Sequence, residues 1–159
     1  MKLLRFLLVG ALYGAAAAQA PAPPAPKALV ITAHNVTTAN AAVAKPGDVI
    51  GYALVFTNVT AGPVKNIQFV DPIPQGMVYV VGSAAADRPV RIDYSIDGGK
   101  SYVAQPTIAL MEAGKQVEKP APRERYTHVR WTVLGSLAPG AKVMAEFRTQ
   151  VSEAPGAAK

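Results

Sequence analysis

The chain is long enough for one domain and apolar enough to bury a core. It has 159 residues, of which 50% are hydrophobic and 16% charged, and 16 Lys or Arg against 10 Asp or Glu give a formal net charge of +6. This composition excludes an intrinsically disordered protein as the main interpretation. Because the sequence contains no Cys, disulfide, iron-sulfur, thiolate-zinc and cysteine-nucleophile chemistry are excluded together.

The first 20 residues have the pattern of a secretory signal peptide. Lys2 and Arg5 provide a positive start, an apolar run follows over residues 7–18, and Ala18-Gln19-Ala20 has the small residues of a signal-peptidase site. We expect cleavage after Ala20, because the apolar run is shorter than the roughly 20 residues of a membrane span. An uncleaved anchor is the alternative. The pattern predicts an exported protein that is periplasmic, at the cell surface or extracellular, with no membrane span once the signal is removed.

Low-complexity segments flank the predicted domain. Residues 21–26 read Pro-Ala-Pro-Pro-Ala-Pro. Proline lacks the N–H that helices and sheet ladders require, so we expect an extended, polyproline-type spacer here. The domain is predicted over residues 27–152, and residues 153–159 form a short tail that we expect to be flexible.

Between these flanks the hydrophobic pattern has a period of two. Ile50, Tyr52, Leu54 and Phe56 alternate with smaller residues, which is typical of a strand with one face in a core. The same alternation predicts further strands at Leu29–Thr32, around Ile67 and Phe69, from Met77 to Val81, from Arg91 to Asp97, from Thr127 to Val133 and from Lys142 to Val151. About seven strands without a helical stripe predict an all-β, antiparallel sandwich.

Three finer expectations concern the second half of the chain. Asp93 and Ser95 are predicted to face solvent while their neighbours face the core, and Asp97-Gly98-Gly99-Lys100 is a strong hairpin signal. Residues 104–125 fit an exposed hairpin with a turn at Glu112-Ala113-Gly114-Lys115, and a long structureless loop is the alternative. Trp131, the only Trp, is predicted to anchor the core rather than to stack on a ligand.

No catalytic, metal-binding or cofactor-binding residue is predicted. His34 and His128 lack metal-type spacing. Asp87, Asp93 and Asp97 lack the spacing of a calcium loop, and turn chemistry accounts for Asp97. Paired carboxylates on distant strands stay open as an alternative, since they need no fixed spacing in the sequence. We therefore expect neither an enzyme nor a cofactor.

The charge pattern gives one candidate interaction surface. Without Lys2 and Arg5, 14 basic and 10 acidic residues leave a net charge of +4. Most basic residues are scattered, which argues against a nucleic-acid partner, because such a surface needs dense clustering with interleaved aromatic residues. The exception is a local cluster, and the candidate surface comprises Lys119, Arg123, Arg125, His128 and Arg130. The expected partner is an envelope protein or polysaccharide.

An ordered series of motifs resembles a known family. It runs from Lys45-Pro46-Gly47-Asp48 through Phe56-Thr57-Asn58 and Val70-Asp71-Pro72-Ile73-Pro74-Gln75-Gly76 to Leu137-Ala138-Pro139-Gly140. In this order the chain resembles the bacterial conserved-repeat domain of unknown function, family eleven, over residues 27–151. The scaffold positions are Pro46, Gly47, Asp48, Tyr52, Asn58, Asp71, Pro72, Pro74, Gly76, Trp131, Pro139 and Gly140.

This resemblance implies an immunoglobulin-like sandwich of a kind commonly repeated in tandem in large surface and cell-wall proteins. Its motifs are turns and strand exits, so it supplies no catalytic residue. The chain departs from the family pattern by having a single copy and by inserting residues 85–125 before the strand that carries Trp131. We expect that insertion to determine specificity.

Three functions follow as hypotheses. The first is a non-enzymatic structural or interaction module of the cell envelope that binds a partner through residues 104–125. The second is a self-associating subunit of an extracellular polymer, assembled when the segment after the Pro-rich leader adds as a strand to a neighbour. The third is a carbohydrate-binding or hydrolytic module, which would need exposed aromatic residues or converging carboxylates.

Overall fold

The chain is almost entirely β-structure in the computed structural model, which describes residues 28–39 and 43–153. The predicted signal peptide, the Pro-rich spacer and residues 154–159 of the predicted tail lie outside the described residues. The strands are β1 Leu29–Asn35, β2 Val49–Thr57, β3 Val64–Lys65, β4 Gln68–Pro72, β5 Met77–Tyr79, β6 Ala85–Ala86, β7 Val90–Ser95, β8 Thr107–Glu112, β9 Lys115–Pro120, β10 His128–Val133, β11 Ser136–Leu137 and β12 Lys142–Val151. A 3₁₀ turn at Arg123–Arg125 precedes β10. No helix in these two ranges is long and apolar enough to cross a membrane.

Two antiparallel sheets enclose the core. The first has the order β1-β2-β12-β5, with β6 also paired to β12, and the second has the order β4-β10-β7. Two short ladders, β3 with β11 and β8 with β9, complete the fold. The prediction of an all-β antiparallel sandwich is confirmed. The structure has more strands than the seven expected, because pieces of two or three residues such as β3, β6 and β11 are too short to show a periodicity.

The inward faces of β10 and β12 form the centre of the core. Every second residue is buried from Val129 to Val133 in β10 and from Val143 to Thr149 in β12, as the alternation predicts, whereas Val151 is only partly buried. Trp131 is 0% exposed, and its ring centroid lies 5.6 Å from that of Phe69 and 5.8 Å from that of Phe147. Its indole Nε1 donates a hydrogen bond to the Ala85 carbonyl at 3.2 Å. The prediction that Trp131 anchors the core is confirmed.

The expectation that Asp93 and Ser95 face solvent is wrong. They are 5% and 1% exposed, although their side chains point away from the core as predicted. The chain after β7 folds back and pairs Val103 with Tyr94, so that residues 97–103 lie beside this outer face. The alternation of β7 indicates its two faces correctly, but it carries no information about a loop that covers one of them.

Two scaffold turns are stabilised by polar side chains. The Asp48 carboxylate accepts hydrogen bonds from the Lys45 backbone N–H at 2.9 Å and from Asn35 Nδ2 at 2.7 Å, and these lower the pKa of Asp48. Asn58 is 1% exposed, and its Nδ2 donates to the carbonyls of Gly62 at 2.8 Å and Leu137 at 2.9 Å. These side chains satisfy backbone groups where strands end, which is the role expected of turn residues.

Asp71 occupies an unusual place for a carboxylate. It pairs with Val129, an inward-facing residue of β10, and is 9% exposed. Within the described ranges its Oδ2 has no hydrogen-bond partner. Burial raises the pKa of Asp71, while the nearby His128 acts in the opposite direction. The ladder between β4 and β10 continues to Pro72, although the sequence predicts that the strand stops at Asp71-Pro72. Pro72 can be part of the ladder because β4 is an edge strand, where a missing N–H donor is tolerated.

Replacing the central indole tests this description of the core. We expect Trp131→Ala to lower the free energy of unfolding by roughly 3 to 5 kcal/mol, because the surrounding side chains cannot collapse fully into the cavity. Thermal denaturation followed by circular dichroism would measure the loss. Val70→Ala, at a 41% exposed position of β4, serves as the control and should change stability little. An unchanged melting temperature for Trp131→Ala would contradict the inward assignment.

Candidate functional site

Only part of the segment between residues 85 and 125 projects from the sandwich. β6 and β7 lie within it but belong to the two sheets, so this stretch is not wholly an insertion. The hairpin of β8 and β9 is the projecting part, and the hairpin prediction is confirmed. Its two loop residues, Ala113 and Gly114, have φ values of +49° and +75°. Two successive positive φ values are typical of the tight turn that joins two hairpin strands. The alternative of a long structureless loop over residues 104–125 is therefore wrong.

The hairpin has two different faces. Leu110 pairs with Val117, and Ile108 lies two residues before Leu110 on the same face. On that face an ion pair joins Glu112 and Lys119, at either end of the apolar strip. Met111 lies on the opposite face and is 70% exposed. Within the described residues the two strands pair only with each other, and ten of their twelve residues are exposed.

The structure separates the predicted interaction surface into two groups. Lys119 and Arg123 form the first group with Arg125, and two of the three have acidic partners. Lys119 pairs with Glu112, and Arg123 Nε lies 3.0 Å from Glu124 Oε1. Arg123 also donates to Gln150 Oε1 at 3.2 Å, which ties the 3₁₀ turn to β12. The net positive charge of this group is therefore smaller than its sequence indicates.

His128 and Arg130 form the second group, on the outer face of β10. Arg130 Nη2 lies 2.8 Å from Asp93 Oδ2, and its guanidinium lies 4.3 Å above the centre of the Tyr102 ring. His128 is next to the same tyrosine, with ring centroids 6.4 Å apart. Tyr102 thus contacts both side chains, which places them in a packed side-chain cluster.

Asp93 is the electrostatic centre of that cluster. Burial by itself raises the pKa of this carboxyl, but hydrogen bonds from Arg130 and from Arg91 Nε, at 3.0 Å, outweigh it. The net result is a pKa below the usual 3.8. A buried carboxylate held by two guanidinium groups is a structural ion pair, which fixes the orientation of Arg130 beneath Tyr102.

The loop that carries Tyr102 is organised by Asp97. Its carboxylate accepts hydrogen bonds from the Ser101 hydroxyl at 2.6 Å, from the Ser95 hydroxyl at 2.7 Å and from the backbone N–H groups of Lys100 and Ser101. These bonds, those from Ser101 foremost, hold the pKa of Asp97 far below its usual range. Residues 97–100 form a loop as predicted, but the hairpin expected there is reduced to a single bridge between Tyr94 and Val103.

An aromatic cleft opens between the sheets at one end of the sandwich. It has a volume of about 460 Å³ and is called the tyrosine cleft below. The lining residues are Tyr79, Val81, Gly82, Tyr94, Ala104, Gln105, Pro106, Thr107, Pro120 and Tyr126. The ring centroids of the three tyrosines lie between 5.1 and 5.4 Å apart, in stacked, tilted and edge-on arrangements. The cleft is therefore an ordered aromatic surface covered on one side by the base of the hairpin.

The hydroxyl groups in the tyrosine cleft are partly paired. Tyr79 Oη accepts a hydrogen bond from the Ala84 N–H at 3.2 Å and donates to Tyr94 Oη at 3.1 Å. Burial raises the pKa of Tyr94, and the contacts with Tyr79 and Tyr126 act in the same direction. Burial likewise raises the pKa of Tyr126. The hydroxyls of Tyr94 and Tyr126 therefore stay protonated at neutral pH.

Sequence reasoning missed the tyrosine cleft. Tyr79 and Tyr94 occupy predicted core positions of two strands, and Tyr126 precedes a third, so each is accounted for singly by the alternation. Only the order of the strands brings the three rings together. In residues 28–39 and 43–153 no three His, Asp or Glu side chains lie close enough to hold a metal ion. The arrangement is suited to non-covalent binding.

Comparison of the whole chain with protein-family models, curated proteins and solved structures returns no match. The resemblance to the conserved-repeat family therefore stays a prediction.

Breaking the Arg130 and Asp93 pair gives a test with a defined pH dependence. We expect Arg130→Met to lower the free energy of unfolding at pH 7 by roughly 2 to 4 kcal/mol, less than for a fully buried pair because Arg130 is partly exposed. Since the folded-state pKa of Asp93 is depressed, the contribution is present above pH 3.8 and is lost as the pH falls through the folded pKa.

Urea denaturation of both proteins at several pH values would measure this. The difference should shrink on acidification, and adding Asp93→Leu to Arg130→Met should recover stability at pH 7. A difference that is the same at every pH would contradict the assignment.

Proposed function

We propose that this chain is an exported, non-enzymatic module of the cell envelope that binds an envelope protein through the hairpin of β8 and β9. The observation that carries the proposal is the exposure of this hairpin, in which Leu110 is 40% and Met111 70% exposed. An isolated two-stranded ladder is marginally stable in water, so its maintenance as a projecting element favours a role in contact. The signal-peptide pattern and the resemblance to the conserved-repeat family support export and a surface location.

The chemistry of the hairpin favours a protein partner over a polysaccharide. Its projecting faces present apolar side chains, and the ion pair of Glu112 and Lys119 leaves little net charge beside them. Interface centres between proteins are typically apolar and depleted of unpaired charge. An anionic polymer would instead require unmatched cations. In the group formed by Lys119, Arg123 and Arg125, two of the three lie within ion-pair distance of a glutamate.

The hairpin proposal is tested by removing its exposed apolar groups. We expect Leu110→Ser combined with Met111→Ser to weaken association with a washed envelope fraction about tenfold or more, since truncating an interface anchor commonly costs more than 1 kcal/mol. Co-sedimentation of purified protein with envelopes would measure it. Leu134→Ser, at a 56% exposed position outside the hairpin, is the matched control.

Both variants should unfold at nearly the parental temperature, because the altered residues are exposed. If the double variant sediments as the parent does, the hairpin is not the contact surface.

Strand addition is the second candidate function, and the exposure of β1 favours it. β1 forms the edge of its sheet and pairs with β2 over its whole length. Leu29, Val30 and Ile31 are 38%, 44% and 47% exposed, so both faces of this edge strand are apolar and accessible. Such an edge is a template for a neighbouring chain, and such a strand can itself be donated to one.

Deleting residues 21–35 tests strand addition. If β1 is exchanged between copies, the deletion should abolish large assemblies and leave β2 as an open edge that binds a synthetic peptide of residues 28–35. Size-exclusion chromatography at several concentrations, with and without the peptide, would detect both effects. A deletion variant that elutes as the parent does, with parental stability, would rule this function out.

A further inference from the structure

The tyrosine cleft is separate from the exposed faces of the hairpin, and its chemistry is selective. None of its described lining residues is Lys, Arg, Asp or Glu. The three tyrosine rings form one side. Residues 104–107 and Pro120 form the other. A pocket of this composition favours an uncharged ligand with flat or ring-shaped apolar groups.

The polar groups of the cleft are suited to backbone carbonyls. The Gln105 amide supplies N–H donors, and the Tyr94 hydroxyl, which is hydrogen-bonded to Tyr79 Oη, adds a further polar group. A polyproline helix has no internal hydrogen bonds, so its carbonyls are unpaired and point outward. Grooves lined by aromatic rings bind proline-rich segments in this way, because the ligand is rigid before binding and loses little entropy.

We propose that the tyrosine cleft binds the Pro-rich segment at residues 21–26 of a second copy of this chain. The segment reads Pro-Ala-Pro-Pro-Ala-Pro and carries no charged side chain. The proline rings of the segment can pack on the tyrosine rings of the cleft. The alanines are small enough to let the segment fit between the two sides of the cleft. The chain thus carries both a ligand of the required chemistry and a cleft of matching character.

The distance from the leader to the cleft favours binding to another copy. β1 starts at Leu29, which pairs with Phe56 of β2, and Phe56 in turn pairs with Val143 of β12. Tyr79 of the cleft pairs with Thr149, six residues further along β12. Three strand spacings of about 4.8 Å and six residues of about 3.3 Å separate these points, a diagonal of about 24 Å. Residues 21–28 span only about 25 Å in a polyproline helix. Almost the whole length of the leader would therefore be needed to reach the cleft of its own subunit, and little of it would remain to bind there.

The direction of β1 supports the same conclusion. β1 runs from the end near Val143 toward the end that holds the cleft, so its first residue, Leu29, lies at the end far from the cleft. The point where the leader joins β1 and the cleft are therefore at opposite ends of one subunit. A contact between different surfaces on two copies is heterologous, and it propagates as an open chain unless the rotation closes a ring.

Nuclear magnetic resonance with a defined peptide tests the cleft directly. The protein is the full chain with residues 21–26 replaced by a Gly-Ser segment of equal length, so that no leader competes. A peptide of residues 21–28 should shift the ring signals of Tyr94 and Tyr126 and the side-chain amide of Gln105. A matched peptide with Ser in place of every Pro should not shift them.

Two substitutions separate binding at the cleft from other binding. Ala104→Trp fills the cleft and should weaken the peptide about tenfold or more. Leu134→Trp adds the same side chain at a 56% exposed position outside both the cleft and the hairpin and should have no effect. Unshifted tyrosine signals, or equal binding of both peptides, would overturn the proposal. Shifts caused by neutral oligosaccharides but not by the peptide would also overturn it.

Sedimentation of the full chain tests whether the occupant is a second copy. The chain with its own leader should associate as its concentration rises, and the Gly-Ser replacement or Ala104→Trp should abolish this. Association that persists in both variants would show that copies meet through another surface and would overturn the proposal, even if the free peptide binds. Because neither variant alters Leu110 or Met111, failure here would leave binding through the hairpin intact.

Discussion

The packing of Trp131 against Phe69 and Phe147 holds the two sheets together. Phe69 lies on the neighbouring strand of the same sheet and Phe147 on the central strand of the other, so one side chain ties three strands across the core. Its only polar atom donates to the carbonyl of Ala85, and the indole is buried without an unmet hydrogen bond. With the centre fixed in this way, the ends of the sandwich can differ in chemistry.

Three carboxylates of the sandwich are held in structural hydrogen bonds or ion pairs. Asp48 accepts backbone and amide hydrogen bonds in a turn, and Asp93 is held by two arginines. Asp97 organises a loop. In each case the ionised form is stabilised, whereas a general acid needs a pKa near the working pH. Asp71 has a raised pKa, but it faces the core, and none of the described cavities is lined by it.

The sequence predicts the strands and the core well because both depend on local alternation. It fails where a distant segment decides the environment: Asp93 becomes buried only because residues 97–103 fold back over it. The charge environment of the candidate interaction surface is likewise not local in the sequence, since the partners of Lys119 and Arg130 come from other strands. The tyrosine cleft was not predictable at all, because its rings converge through strand order. The hairpin was predicted, since a two-residue loop between alternating runs is a local signal.

The two ends of the sandwich are closed in different ways, and this determines where a ligand can enter. At one end Asn58 donates to two backbone carbonyls and accepts from Thr60, so the turn is closed by hydrogen bonds that leave no unmet group. At the other end tyrosine rings fill the gap between the sheets and leave a cavity of about 460 Å³. The tyrosine side chains can change rotamer, whereas the turn at Asn58 cannot open without losing several hydrogen bonds. A gap between the sheets is therefore easier to widen at the tyrosine end than at the Asn58 end.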